Sequence, residues 1–176
     1  MYSASVLIAL CLILAGCSGA PEEFPPPLQR QMPEPVEIKP HGPFVNMNDE
    51  DADEYIVRDI QPYVEGTGWR WTREFPELRF VLNRTKGLKF TMDFAFPEFN
   101  FNQTGPVTLS FFVNGQLLDK VRYTTPGDRR YEKPVPAAWL KPGPFTVVRI
   151  VVDPPWVSPR DGVRLGFVLH RAGFVE

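Results

Sequence analysis

The strongest constraint on this 176-residue chain is a run of strict alternation that begins at Leu88. Leu88, Phe90, Met92, Phe94 and Phe96 fall on one side, and Lys89, Thr91, Asp93 and Ala95 on the other. A period of two describes a strand with one buried face, and Pro97 ends it because proline donates nothing to a ladder. Val107, Leu109, Phe111 and Val113 repeat the pattern, followed by Asn114-Gly115 and a further run from Gln116 to Tyr123. Asn-Gly between two such runs specifies a two-residue hairpin turn, since both residues tolerate positive φ. Five buried side chains in the first run alone are worth on the order of 10 kcal/mol gross. The chain is therefore built around antiparallel β structure.

The flanking segments extend that reading. Trp69 to Thr72 and Glu77 to Leu82 are expected as two strands before the hairpin, and Arg129 to Val135 as one after it. Ala137 to Leu140 is expected to make a single helical turn. Phe145 to Val152 is apolar on both sides apart from Thr146 and Arg149, the pattern of a central strand covered on both faces. Val163, Leu165, Phe167 and Leu169 alternate with Arg164, Gly166, Val168 and His170 in a closing strand. No segment carries a helical stripe of ten or more residues. Seven or eight short strands with Gly/Pro turns make the expected fold an all-β, antiparallel two-sheet β-sandwich or jelly roll.

The first residues belong to something else. Val6 to Gly16 is uninterruptedly apolar, too short for a membrane span, which takes about 20 residues, and suited to a signal-peptide core. It ends in Leu14-Ala15-Gly16-Cys17, which resembles the lipobox of bacterial lipoproteins. The resemblance implies cleavage before Cys17, acylation of its sulfur and attachment to a membrane. Ser18, in place of the Asp common in inner-membrane lipoproteins, implies the outer membrane. Only Cys11 and Cys17 are present, so the exported part would hold no disulfide. The expected division is a signal peptide at 1–16, a Pro-rich acidic tether at 17–54 and a β domain at 55–176.

Prolines at 21, 25, 26, 27, 33, 35, 40 and 43 give the tether an extended, semi-rigid character. It ends in five acids between Asn48 and Glu54. That run lacks the glycine and distal glutamate of a calcium loop, and reads as a solvated patch. Residues 18–54 carry nine acids and two bases, a net −7, whereas the chain from 55 onward carries a net +5. A mildly basic domain outside the cytoplasm suits an anionic glycan or lipid headgroup. No basic recognition helix points to nucleic acid.

Enzyme signatures are absent: there is no nucleophile elbow, phosphate-binding glycine loop or dinucleotide fingerprint. His41 and His170 do not make a metal cluster, and no cofactor is expected. Asp153 and Asp161 are the two acids best placed for glycoside hydrolysis, but both sit in turn sequences. Trp69 and Trp71, two apart on a strand, would project to one face and offer planar rings to a sugar, with Arg70 supplying charged hydrogen bonds. The same rings would equally serve as core. Trp156 lies in a turn context, and Pro97 to Asn102 forms an aromatic and amide segment at a strand end.

Gly68-Trp69-Arg70-Trp71-Thr72, Val113-Asn114-Gly115 and Asp161-Gly162-Val163-Arg164-Leu165-Gly166 resemble motifs of β-sandwich accessory domains beside bacterial surface-glycan enzymes. The resemblance spans 63–174 and implies a non-catalytic module. Trp69, Arg70, Trp71, Trp156 and Asp161 are the expected ligand-binding residues, with a surface glycan or an envelope protein as partner. A structural subunit without a ligand is the alternative.

Overall fold

A computed structural model describes residues 42–176. The expected signal peptide, the lipobox with Cys17 and the tether as far as His41 lie outside the described residues. The fold is an all-β, antiparallel sandwich of two sheets.

One sheet consists of β1 (Phe44–Asn46), β11 (Val168–Val175), β4 (Lys89–Phe96) and β7 (Gly127–Pro134), in that order. The other runs β2 (Ile56–Ile60), β3 (Arg70–Val81), β8 (Phe145–Asp153), β5 (Val107–Val113) and β6 (Gln116–Tyr123). We call them the β4 sheet and the β8 sheet. A two-strand pair, β9 (Trp156–Val157) with β10 (Arg164–Leu165), forms a ladder of its own beside β3.

Core contacts join the inner faces. Phe111 of the β8 sheet stacks on Tyr131 of the β4 sheet with centroids 3.8 Å apart, and Phe80 packs edge-on against Phe90 and Phe174. All five apolar residues of the Leu88–Phe96 alternation are buried, as are Val107, Leu109, Phe111 and Val113. Asn114 and Gly115 take φ of 48° and 82°, closing the expected hairpin. Asn114 also ties that end of the sandwich, accepting the Val147 N–H at 2.9 Å and donating to the Trp139 carbonyl at 2.7 Å.

Several segments differ from expectation, each for a physical reason. The two strands expected at 69–72 and 77–82 form the single strand β3, which joins the sheets: Arg70 and Trp71 pair with β11, and Glu77 to Val81 pair with β8. Pro76 falls between these paired stretches, where no ladder N–H is required. Strand β8 is central but covered on one face only. Thr146, Val148, Ile150 and Val152 are buried, while Val147, Arg149 and Val151 remain half-buried on the outside.

The closing strand breaks at Gly166, whose N–H donates to the Thr72 carbonyl at 2.9 Å. A Cβ there would lie 2.6 Å from the Arg73 carbonyl oxygen, so only glycine allows this approach. The aromatic segment after Pro97 is a short helix, α2 (Glu98–Thr104), preceded in the chain by α1 (Ala52–Tyr55). It anchors through buried Phe101 and ends at Gly105.

Residues 42–54, expected as the end of the tether, belong to the domain. Strand β1 pairs with β11, and Val45, Met47 and Ala52 are buried together with Tyr55. The proline and acid density of this stretch hid three apolar anchors spaced too irregularly to show a period.

Candidate functional site

Directly opposed residues on neighbouring strands share a face, so the registers define the outer face of the β4 sheet. One row is Trp71, Val168, Ala95 and Asp128; the next is Asn46, Arg171, Asp93 and Arg130; the third is Phe44, Gly173, Thr91 and Glu132. Aromatic rings thus stand at one end of two rows, and charged groups (Asp128, Arg171, Asp93, Arg130 and Glu132) cluster toward β4 and β7.

The Asp93 carboxylate lies at the centre. It accepts a hydrogen bond of 2.6 Å from Arg171 Nε, Arg171 Nη2 is ion-paired to the same oxygen at 2.6 Å, and Arg130 Nε lies 3.8 Å away. Arg130 also approaches Glu132 at 3.7 Å, and Lys89 Nζ donates to Glu132 at 2.9 Å. The Lys89 hydrogen bond holds the Glu132 carboxyl below its ordinary pKa. These pairs are exposed enough that their net contribution to stability is small; they fix side-chain geometry instead.

Two depressions flank this network. The larger, about 510 Å³, is lined by Asp93, Phe94, Asp128, Arg129, Arg130 and His170, within the roughly 300–1,000 Å³ typical of ligand sites. The smaller, about 150 Å³, is lined by Phe44, Thr91, Asp93, Arg130, Arg171 and Val175. They share Asp93 and Arg130, and the two together are called the groove. His170 reaches it because β11 carries a bulge between Leu169 and Arg171, and bulges re-aim side chains. Gly173, opposite Thr91, lets β1 close against β11, since a Cβ there would collide with the Pro43 carbonyl oxygen.

Thr91 is 4% exposed, yet its Oγ1 has no hydrogen-bond partner among the described residues. A buried hydroxyl left unpaired costs about 1–3 kcal/mol.

The expected site residues are only partly brought together. Trp69 and Trp71 adjoin, but edge to face at 87° with centroids 5.9 Å apart, so they do not form one flat platform. Both are half-buried, and Trp71 continues the first row of the groove face. Arg70 points to the other side of its strand and is 4% exposed. Its Nε donates to the Met47 carbonyl at 2.8 Å and its Nη1 pairs with Asp53. It clamps residues 47–53 to the sandwich and is not available to a ligand.

Trp156 lies elsewhere, beside α2. Its Nε1 donates to Gln103 at 2.7 Å, and its ring is 6.4 Å from Phe99, which is 66% exposed. Asp161 closes its own turn by accepting the Val163 N–H at 3.2 Å, and a hydrogen bond with Ser158 lowers its pKa. It is a turn residue.

No family model and no curated protein matches this chain. Solved structures do. A family 35 carbohydrate-binding module from an environmental isolate is 12% identical, with a TM-score of 0.43 over 65% of this chain and 77% of that one. The family 35 module from Clostridium thermocellum is 11% identical, with a TM-score of 0.42 over 76% of this chain and 98% of its own. A third, from Cellvibrio japonicus, is 12% identical at a TM-score of 0.42, covering 76% and 93%. These likenesses concern strand arrangement and transfer no residue role.

Thr91, Asp93, Arg130 and Arg171 were missed as site residues by sequence reasoning. The alternation from Leu88 had already placed Thr91 and Asp93 on an outward face, but their partners come from strands about 40 and 80 residues further on and appear only with the register. Chemically, the groove offers a fixed carboxylate, guanidinium donors and aromatic flanks. That set suits a ligand rich in hydroxyl groups with apolar C–H faces.

Proposed function

We propose that this chain is a lipid-anchored, non-catalytic module of a bacterial cell envelope that binds a surface glycan along the groove of the β4 sheet. The supporting observation is the Asp93 carboxylate, held between Arg171 and Arg130 where the two depressions adjoin. Sugar hydroxyls would meet Asp93 and Arg130, and a C–H face of the ring would lie toward Trp71 or Phe44. The lipid anchor at Cys17 and an outer-membrane location rest on the lipobox sequence.

Affinity electrophoresis through gels cast with the cell's own envelope polysaccharide tests the glycan reading. Retardation of the wild type and its loss in Asp93→Ala is expected, a fall of about tenfold or more from removing charge-assisted bonds. Equal mobility with and without polysaccharide would end it. Labelling cells with radioactive palmitate tests the anchor: label in the wild type and none in Cys17→Ala is expected.

A partner protein is the second reading, favoured by Phe99 beside Trp156 and exposed Val157. Crosslinking from intact envelopes through a photoreactive group at Phe99 distinguishes it.

A further inference from the structure

The outer face of the β8 sheet carries a different chemistry from the groove face. Its registers place Arg122 opposite Thr108, Lys120 opposite Ser110, and Arg149 between Phe112 and Glu77. Arg79 and Arg58 extend the same face. The acids among these rows are Glu77, paired with Arg58 at 3.1 Å, and Asp153 at the strand end. Five cations therefore face out against two carboxylates.

Apolar groups are interleaved with them. Arg149 lies over the Phe112 ring at 4.7 Å and Arg79 over Phe145 at 4.9 Å, while Leu117 is 53% and Phe145 45% exposed. Among the described residues Lys120, Arg122 and Arg149 form no ion pair, so their charge is unspent within the fold. Cations with apolar stems laid along exposed rings match the boundary of a bilayer, where the heads meet phosphates and the rings meet the first carbons.

We propose that this face docks on a bilayer bearing anionic headgroups. The argument is charge complementarity together with chain length. Between Cys17 and Gly42 lie 24 proline-rich residues, a span of about 75 Å if drawn out as polyproline II. A tether of that reach alone would leave the domain's orientation undefined. Docking through the β8 sheet defines it, because the outer faces of a sandwich point in opposite directions, and it turns the groove of the β4 sheet away from the membrane. The inference rests on the lipid anchor proposed above, but it concerns a separate surface and stands whether or not the groove binds a glycan.

The test uses the chain from Ser18 onward, which keeps the whole described domain and lacks only the apolar leader and the cysteine. It is sedimented with vesicles of phosphatidylcholine alone and of phosphatidylcholine containing phosphatidylglycerol. Binding to the anionic vesicles only, weakened by salt, is expected. Lys120→Ala with Arg122→Ala should lower the partition coefficient roughly thirtyfold, since each base at an anionic surface contributes about a factor of five. Lys141→Ala with Arg160→Ala, an equal change of charge at exposed sites off this face, should leave it unchanged. No sedimentation, equal binding to neutral vesicles, an equal loss in the Lys141 and Arg160 variant, or retention by soluble anionic polysaccharide in place of vesicles would overturn the proposal.

Discussion

Replacing Thr91 with valine separates stability from binding at one atom. Thr91 Oγ1 is buried and unpartnered, so the folded protein carries a desolvation cost of about 1–3 kcal/mol there. Valine substitutes a methyl of similar size, removes that cost and adds about 0.8 kcal/mol of apolar burial. The position is mid-strand, where a β-branched residue fits. Thr91→Val should therefore stabilise the ligand-free domain by about 2 kcal/mol, raising Tm by roughly 6–8 °C. The same change removes a hydroxyl that no ligand touches and should leave glycan binding unchanged. Urea unfolding and affinity electrophoresis read the two effects.

The second orphan hydroxyl provides the control. Thr146 is buried opposite Phe80 on the inner side of β8 and lines neither depression. Thr146→Val should stabilise comparably and leave binding intact. Destabilisation of Thr91→Val by a kilocalorie or more would mean that the hydroxyl is satisfied in the folded protein, and the reasoning would fail.

Other expectations follow from the same structure. A chain beginning at Lys39 should fold as stably as a longer one, whereas one beginning at Ile56 should lose several kcal/mol in urea unfolding, because Val45, Met47, Ala52 and Tyr55 leave the core. Arg70→Ala should cost about 2–3 kcal/mol by freeing the Met47 carbonyl and the Asp53 contact, measured by the same unfolding assay. Gly173→Ala should destabilise by a similar amount, since its Cβ would sit 2.5 Å from Phe44 Cα and push β1 off β11; loss of amide protection in β1 checks it.

Alkaline pH offers another test. Burial pushes the Tyr123 hydroxyl up to about 12 and raises Tyr131 as well, against about 10 in an unfolded chain. Folding therefore favours the protonated forms. Their contribution is fully present below pH 10 and is lost as pH rises toward 12. Phenolate absorbance should show these two tyrosines ionising late, with unfolding; early ionisation of all tyrosines would contradict their burial.

Much of the sandwich was legible because alternation is a local signal. The Leu88–Phe96 and Val107–Val113 runs and the Asn114-Gly115 turn needed no tertiary information. Strand β3 was read as two pieces because its middle residues serve the crossing between sheets and carry no alternation of their own. Residues 42–54 were misread because three scattered anchors weigh little against dense proline and acid. The groove was invisible for a stronger reason: Asp93, Arg130 and Arg171 are single polar residues on three strands, and only register brings them together. Arg70 shows the converse. Its neighbours suggested a ligand contact, yet the parity of β3 turns it inward.

The central claim is that the β4 sheet, through Asp93, Arg130 and Arg171, holds a glycan. Amide and indole shift mapping on labelled protein, titrated with oligosaccharides released from the envelope polysaccharide, tests it most directly. The account predicts shifts clustered at Thr91, Asp93, Arg130, His170, Arg171 and the Trp71 indole, with Trp156 and the β8 strand silent. Shifts centred on Phe99, Gln103 and Trp156, or none at saturating sugar, would contradict it.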